Sequence, residues 1–386
     1  MRTALTIFML WAAGLGSAAQ FGKVSVAYDQ IAAAYPGHGA VGIGLVVSIV
    51  GIVGLIFGTT AGLLVARIGP RRAIVAALAM GAVVSAVQTL MPPYPLMLVL
   101  RVIEGFSHLA IVVVGPTMIA GLAPPRHQGL AMTLWSSFFG VTYAILALIG
   151  PGILAAGGIT ALFFGHAVWM AALALILRLL LPPDPRAPIL PGQGNLLRQH
   201  ADIYASPRIA APAMGFVCYA GLYVALLTLL PPLMPPDLRA TVGAGMPLVS
   251  IIVSLTAGVW LLSRVTAVHL VQSGFALATL ATAALWAVWG QGAAMVAASF
   301  AIAAALGIVQ GASFASIPQL NATAPDRARA AGAVAQLGNL GTTSGTPLLA
   351  FILTQSGPSG IAAFAIPLCL LGITIHAVQA RRRSYR

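Results

Sequence analysis

Three ionisable side chains interrupt apolar segments in the first third of the sequence, where burial without a partner would be costly. Lys23 is the only lysine among nineteen basic residues and lies in the stretch SAAQFGKVSVAYDQ at residues 17–30. Arg101 and Glu104 are three residues apart in another apolar segment, so in a helix they share a face and can pair. Ammonium and guanidinium groups bind anions, and a carboxylate or a desolvated amine can exchange a proton. These residues indicate anion binding or proton transfer.

Each of these two segments carries a polar stripe at helical spacing. The stripes consist of Arg101, Glu104 and His108 in one segment and of Gln20, Lys23 and Gln30 in the other. We expect both stripes to line one cavity, because charged groups in a bilayer normally face a bundle interior or an aqueous space. His108 is a candidate proton carrier, since its ring titrates near neutral pH, although a hydrogen-bonded structural role is the alternative.

Lys23 has no evident partner on its own helix. Arg101 and Glu104 are placed to pair with each other, and Asp29 lies six residues after Lys23, roughly 240° round the helix. An unpaired ammonium in a cavity favours binding of a carboxylate and can also respond to a proton. The alternatives are that Lys23 snorkels outward or pairs with Asp29, and that Arg101 and Glu104 form a purely structural ion pair.

The spans of the second half contain no charge, so any site residues there are polar and neutral. Tyr219 and Tyr223 share a helix face, as do Gln336 and Asn339. Packing and interhelical hydrogen bonding are the competing roles for these pairs. The predicted substrate-binding residues over the whole chain are Lys23, Arg101, Tyr143, Tyr219, Tyr223, Gln310, Gln336 and Asn339.

The elements that hold these residues are membrane helices. Hydrophobic residues make up 60% of the 386 residues, charged residues 6%, and the mean hydropathy is +0.99. Soluble domains carry about 25% charged residues, so the chain is predicted to be an integral membrane protein. The apolar runs lack the strict alternation of a membrane barrel, which favours an all-α protein.

Eleven breaks rich in proline, glycine and charge predict twelve transmembrane helices. A long polar stretch divides them into two six-helix, pseudo-symmetric bundles, 1–181 and 208–386, joined by a cytoplasmic linker at 182–207. The eleventh predicted helix contains Gly338, Gly341, Gly345 and Pro347. These residues suggest a gate that can bend, and close packing of the helix is the alternative reason for them.

The distribution of arginine predicts the orientation. With a cytoplasmic N-terminus, sixteen arginines fall in inner loops and ends and only Arg239 falls outside. Both termini are then cytoplasmic, and the chain is predicted to be a multi-pass protein of the inner membrane. The first twenty residues also resemble a secretory signal, but its removal would break the six-plus-six symmetry. The basic residues flank spans, so the sequence pI near 11.0 implies no nucleic-acid partner.

Three motifs resemble those of the major facilitator superfamily. They are Gly62-Leu63-Leu64-Val65-Ala66-Arg67-Ile68-Gly69-Pro70-Arg71-Arg72, then Arg101-Val102-Ile103-Glu104-Gly105, and Gly150-Pro151. The resemblance implies the twelve-helix fold of that family and a gating role for Gly62, Arg67, Gly69, Arg71 and Arg72. Two positions depart from the first motif: Ala66 replaces the usual aspartate and Pro70 a basic residue. In the family that aspartate helps to lock the inner gate by charge pairing, and this motif lacks it.

Phe21-Gly22-Lys23 also resembles the monocarboxylate-transporter branch, which has a lysine late in its first helix. Together with the apparently unpaired lysine, this resemblance implies a secondary transporter of a small organic anion, moved by alternating access. Glu104, Asp29 and His108 are the predicted proton-coupling residues.

Other functions are compatible with the same helices. The alternative is a proton-driven exporter of drugs or metabolites with a mainly apolar pocket, and a non-transporting assembly or sensory protein is a further one. Ligand-spaced metal clusters, phosphate-binding glycine loops and paired carboxylates in the spans are absent from the sequence, so we expect no enzyme, cofactor or metal. The expected partners are a small anionic molecule, the bilayer and protons, with the chain acting as a monomer.

Overall fold

The computed structural model describes residues 2–124, 127–184 and 196–384, and every regular element in these ranges is helical. The chain divides into two compact units, Met1–Leu190 and Pro191–Arg386. The division falls within residues 185–195, which lie outside the described ranges. Three arginines of the predicted charge distribution also lie outside those ranges: Arg126, Arg186 and Arg386. The predicted domain boundaries at 181 and 208 stay predictions.

Unit 1 contains nine helices within the described residues, with a short 3-10 turn at Ile49–Gly51. The helices are α1 (Arg2–Val26), α2 (Tyr28–Ala34), α3 (Gly39–Ser48), α4 (Ile52–Phe57), α5 (Ala61–Ile68), α6 (Pro70–Gln88), α7 (Tyr94–Leu122), α8 (Gln128–Ser136) and α9 (Phe138–Leu180). Its buried core joins α1, α6 and α9 through Leu10, Ile74 and Met170. A side chain at Gly16 would overlap the Met170 sulfur, so this glycine sets how closely α1 approaches α9.

Unit 2 contains eight helices within the described residues, with a π-helical segment at Ser254–Gly258 and a 3-10 turn at Gly357–Ser359. The helices are α10 (Leu196–Ala205), α11 (Ala210–Leu233), α12 (Pro236–Val253), α13 (Val259–Leu262), α14 (Ala267–Ala287), α15 (Ala293–Leu320), α16 (Ala324–Ser356) and α17 (Gly360–Ser384). Part of the predicted linker is thus helical, because α10 lies within 182–207. Ile203 of α10 is buried in an apolar cluster with Ala330 and Val334 of α16.

Ten segments of the described residues are long and apolar enough to cross a membrane. Two of them are long enough for two crossings, since one crossing needs roughly 20 residues. One is α9, with 43 residues and a non-helical Gly158 at φ 64°, and the other is Pro325–Ser384, which holds both α16 and α17. The all-helical membrane character is as predicted, whereas the count of twelve helices and their arrangement in two bundles stay predictions.

The structure shifts two of the predicted features. The break expected at residues 325–329 lies before α16, because the Thr323 hydroxyl accepts a hydrogen bond from the backbone N–H of Asp326 (3.2 Å) and caps that helix. Helix α1 ends at Val26, so Gln30 falls in α2, is exposed, and does not continue the stripe of Lys23.

Glycines of α16 pack directly on α11. A Cβ added at Gly345 would overlap the backbone of Gly221, and one at Gly341 would overlap both the Val217 carbonyl and the Gly221 amide. Because apolar burial gives helices little reason to associate within lipid, such close backbone approach supplies the van der Waals contact instead. Close packing therefore accounts for these two glycines of the predicted gate.

Candidate functional site

Unit 1 holds a fully buried cluster of two cations and one carboxylate, which we call the ion-pair cluster. Lys23 of α1 and Arg101 and Glu104 of α7 are each 0% exposed. The Lys23 Nζ lies 2.7 Å from Glu104 Oε1, and Arg101 Nη1 donates to Glu104 Oε2. The prediction that Lys23 is unpaired is wrong, because the two oxygens of one carboxylate serve two cations. With both cations protonated, the cluster carries one excess positive charge.

The remaining donors of Lys23 are also engaged. Its Nζ donates to Ser85 Oγ and Gln88 Oε1 of α6, both at 2.8 Å, and Gln88 Nε2 donates to Glu104 Oε2 at 3.0 Å. An ammonium has three N–H donors, and these contacts use all of them. Where the sequence suggested a polar stripe lining an open cavity, the structure shows a closed hydrogen-bonded network in which no Lys23 donor is left for a cargo.

His166 of α9 completes the surroundings of Lys23. Its Nδ1 lies 3.3 Å from Lys23 Nζ and 2.9 Å from Ser85 Oγ, and its Nε2 lies 2.9 Å from the Gly16 carbonyl oxygen. A carbonyl oxygen only accepts, so Nε2 carries the ring proton and Nδ1 of the neutral ring presents a lone pair to Lys23. A nitrogen that carries protons, Lys23 Nζ, and a nitrogen that can accept one, His166 Nδ1, thus stand next to each other in this network.

Arg101 is fixed by a local irregularity of the backbone. Its Nε donates to the Val46 carbonyl (2.8 Å) and its Nη2 to the Val47 carbonyl (2.9 Å), at the end of α3. The 3-10 turn at Ile49–Gly51 interrupts the regular α-helical pattern there, which leaves these carbonyls able to accept from a side chain. Arg101 therefore joins α3 to α7 while it holds Glu104.

A second polar layer lies beside the cluster, between α1 and α7. Gln20 Nε2 donates to Ser107 Oγ at 2.9 Å, and Ser17 Oγ lies 2.8 Å from His108 Nδ1. His108 is on the predicted stripe and is buried, but its hydrogen-bond partners are the hydroxyl and the carbonyl oxygen of Ser17. Phe21 covers its ring edge-on at 5.1 Å between centroids. A structural role fits these contacts.

Asp29 and Tyr143, two further predicted residues of unit 1, differ in burial. Asp29 is exposed on α2 and makes no ion pair within the described residues. Tyr143 of α9 is buried, with its hydroxyl 3.2 Å from Ser25 Oγ and its ring stacked on Phe139. Sequence reasoning missed Ser85, Gln88 and His166; for the first two, the signal is their i, i+3 spacing in the otherwise apolar α6.

Unit 2 presents aromatic rather than charged residues at the predicted positions. Tyr219 and Tyr223 of α11 are buried and stack at 5.3 Å between ring centroids. Phe216 contacts Tyr219 at 5.1 Å and Phe314 at 5.3 Å, so the four rings form one group. The Tyr219 hydroxyl is buried and finds no hydrogen-bond partner among the described residues. This group offers ring faces and one hydroxyl without a partner among the described residues.

The amide residues of unit 2 have different surroundings. Gln310 is half-buried on α15, and Asn339 Nδ2 donates to the Ala335 carbonyl of its own helix at 2.7 Å. Gln336 Oε1 accepts from the Tyr204 hydroxyl of α10 at 2.8 Å, so its carbonyl oxygen ties the linker helix to α16. Burial raises the pKa of Tyr204 to about 12, which keeps this hydroxyl protonated at neutral pH.

The predicted gating segment is held by a carboxylate from elsewhere in unit 1. Asp184, just after α9, accepts from the backbone N–H groups of Arg71 (2.8 Å) and Arg72 (2.9 Å) at the start of α6. Gly69 has φ 97°, and a Cβ there would overlap the Asp184 side chain. Gly62 and Arg67 are exposed on α5. Sequence reasoning missed Asp184, which supplies a negative charge to a loop that has Ala66 in place of aspartate.

Among the described residues, no three histidine, cysteine, aspartate or glutamate side chains gather into a group that could hold a metal ion. The network of unit 1 instead combines buried ion pairs with a neighbouring histidine nitrogen.

Comparison with known proteins places this site in a family. A sequence model of the Major Facilitator Superfamily matches residues 7–322. The inner membrane transport protein YajR of Escherichia coli (strain K12) is 26% identical over 190 residues, which are 49% of this chain and 41% of YajR. The aligned region thus spans less than half of that curated relative.

Two solved structures share the fold. Both are of a bacterial homologue of the human lysosomal transporter Spinster, in inward-facing conformations. The occupied form gives a TM-score of 0.76 at 15% identity, over 98% of this chain and 97% of that one. The unoccupied form gives 0.70 at 16% identity, over 98% and 95%. With the family model matching most of its length, the chain belongs to the major facilitator superfamily, whose members are multi-pass membrane transporters rather than enzymes.

Proposed function

We propose that this chain is a proton-coupled secondary transporter whose proton-responsive element is the ion-pair cluster with His166. The observation that carries the proposal is the complete burial of two cations around one carboxylate, next to a histidine nitrogen 3.3 Å from the lysine. A buried group that gains or loses a proton changes the balance of charge in a medium that screens it poorly. Such a change can bias a conformational equilibrium.

The charge balance points to Lys23 as the group that exchanges the proton. Glu104 is stabilised as an anion by both cations, and a guanidinium group stays protonated in proteins. When Lys23 loses its proton, the cluster changes from one excess positive charge to a neutral Arg101–Glu104 pair. The Nδ1 atom of His166 is the neighbouring base that can take that proton, and the positive charge leaves the network when the resulting imidazolium releases a proton in turn. The expectation that Glu104 or Asp29 carries the proton is thereby replaced.

The cargo we propose is an apolar or aromatic compound without negative charge, which makes the chain a proton-driven exporter of drugs or metabolites. Support comes from the donors of Lys23, which are fully engaged within unit 1. Further support comes from the stacked Tyr219 and Tyr223 with Phe216 and Phe314 in unit 2, since aromatic faces bind apolar and cationic compounds.

A small organic anion is the second candidate cargo. The observation that favours it is the single excess positive charge of the cluster, which an anionic group would neutralise if Lys23 exchanged Glu104 for the cargo. The inner membrane, cytoplasmic termini and a monomeric state are proposed with either cargo. Their support is the arginine distribution and the relative YajR, which is an inner membrane protein.

The test is transport by the full chain in proteoliposomes that enclose a pH-sensitive dye. Aromatic amines, neutral aromatic compounds and small carboxylates are offered with and without a pH gradient. Wild type is compared with Lys23→Gln and with Arg264→Gln, a matched control that removes one positive charge from an exposed arginine stacked on Trp260.

We expect proton flux coupled to aromatic amine movement in wild type and in the control. In Lys23→Gln, downhill movement should persist while its dependence on the pH gradient is lost. Carboxylate transport that disappears in Lys23→Gln would favour the second cargo. Gradient dependence that survives unchanged in Lys23→Gln would refute the coupling role of the cluster.

A further inference from the structure

One end of unit 2 carries a group of arginines, which we call the arginine patch. It consists of Arg208, Arg327, Arg329, Arg381, Arg382 and Arg383. These arginines come from the segment before α11, the start of α16 and the last turn of α17. All are exposed except Arg383, which is half-buried. Three separate parts of the chain thus bring basic side chains to the same end of the unit.

Hydrogen bonds to backbone carbonyls link these parts. Arg383 Nη1 donates to the Pro207 carbonyl at 3.1 Å, and Arg382 Nη2 donates to the carbonyl of Ala205, the last residue of α10, at 3.3 Å. On the other side, Asn321 Nδ2 donates to the Arg208 carbonyl at 3.3 Å. The Asn321 carbonyl in turn accepts from Arg327 Nε at 2.9 Å. The arginine patch is therefore a connected arrangement rather than a set of independent surface side chains.

The patch has little negative charge of its own. Asp326 lies 3.7 Å from Arg329 and is the only carboxylate within ion-pair distance of any patch arginine among the described residues. Asp202 is exposed on α10 and forms no ion pair there. Arg382 and Arg383 each spend one N–H group on a carbonyl, and a guanidinium group has five. Most of their donors remain for an anion.

The location of the patch identifies the kind of anion. The helices α11, α16 and α17 lead directly from it into segments apolar enough to cross a membrane, so its arginines lie at the level of the lipid headgroups. Guanidinium groups match the oxygens of a phosphate in a fork geometry. Basic clusters that immediately flank a membrane span attract anionic lipid.

We propose that the arginine patch is a binding site for the phosphate group of an anionic phospholipid. The carbonyl-bound Arg382 and Arg383 form its ordered centre, and Arg381 and Arg208 add charge at its edge. The occupant lies with its acyl chains along the apolar flank of α17. This site shares no residue with the ion-pair cluster of unit 1, so the lipid-site proposal does not depend on the proposed transport mechanism.

The experiment is native mass spectrometry of the full chain in detergent, titrated with phosphatidylglycerol or with phosphatidylcholine of the same acyl chains. Each basic residue near an anionic surface corresponds to roughly a fivefold change in affinity, hence about 30-fold for two. We expect Arg382→Gln/Arg383→Gln to weaken phosphatidylglycerol binding by about that factor. The matched control is Arg239→Gln, in the first turn of α12, which begins just after the end of α11 that is remote from the patch.

Three comparisons make the result decisive. Arg381 makes no side-chain hydrogen bond to a backbone carbonyl of the described residues, unlike Arg382 and Arg383. Arg381→Gln should therefore fold normally and lose about fivefold in phosphatidylglycerol affinity. Arg382→Lys/Arg383→Lys should bind more strongly than the glutamine pair, because the charge is kept, and more weakly than wild type, because the fork geometry is lost. Inorganic phosphate should compete only weakly, because it lacks acyl chains. Equal binding of the two lipids, or equal loss in Arg239→Gln and Arg382→Gln/Arg383→Gln, would overturn the proposal, as would phosphate binding as strong as that of the lipid.

Discussion

The composition of the ion-pair cluster predicts that its anion contributes more to stability than its lysine. Glu104→Gln leaves Lys23 and Arg101 buried side by side without a counter-charge, and removing one partner from a buried pair typically costs about 3–5 kcal/mol. Lys23→Gln leaves the Arg101–Glu104 pair in balance. It removes hydrogen bonds that involve a charged group, so the free energy of unfolding should fall by about 1.5–3 kcal/mol. The loss should therefore be larger for Glu104→Gln by roughly 2 kcal/mol.

The measurement is the free energy of unfolding of the full chain in mixed micelles, titrated with a denaturing detergent and followed by tryptophan fluorescence. Lys23→Gln/Glu104→Gln leaves one unpaired cation instead of two, so its loss should be smaller than the sum of the single losses. A Lys23→Gln variant as unstable as Glu104→Gln, or strictly additive losses, would refute the assignment of the excess positive charge to Lys23.

Three further predictions concern the contacts around the site. Asp184→Asn should lower the free energy of unfolding by about 1 kcal/mol and speed amide hydrogen exchange in the first turn of α6, because the charged cap is lost. Asp237→Asn should change neither quantity, because no hydrogen bond joins the Asp237 side chain to a backbone N–H among the described residues. Gly345→Val should destabilise unit 2 by about 1–3 kcal/mol in thermal unfolding, since its side chain meets the backbone of α11, whereas Gly62→Ala points into open space and should be tolerated. Tyr204→Phe should lose about 1 kcal/mol and the exchange protection of α10.

Each of these predictions has a distinct contradicting result. Equal exchange rates in α6 for Asp184→Asn and wild type would mean that the carboxylate does not cap that helix. An unchanged melting temperature for Gly345→Val would mean that α11 and α16 separate easily. Unaltered protection of α10 in Tyr204→Phe would mean that its apolar contacts alone hold it.

Sequence reasoning predicted the features that depend on composition and local spacing. The scarcity of charge predicted a helical membrane protein, and the i, i+3 spacing predicted the pair between Arg101 and Glu104. The family motifs predicted the superfamily that the comparison confirmed. These inferences need only neighbouring residues or averages over many, so they do not depend on knowing how helices pack.

The partners of Lys23 could not be predicted from neighbouring residues or averages. Glu104 is 81 residues away, and assigning its carboxylate to Arg101 alone ignored the second oxygen, which accepts from Lys23. Ser85 and Gln88 carry no charge, and His166 is isolated in its segment, so no local pattern connects them with α1. Asp184 reaches the start of α6 across more than a hundred residues. Only the packing of helices brings these groups together.

The solitary lysine also makes the closed network observable by chemistry. Lys23 is the sole source of a side-chain amine in the sequence, and it is 0% exposed. A water-soluble acylating reagent can therefore modify that nitrogen only when α1, α6 and α7 part far enough to admit it. The rate of acylation at this one position therefore measures how often unit 1 opens, with no engineered cysteine or fluorophore required.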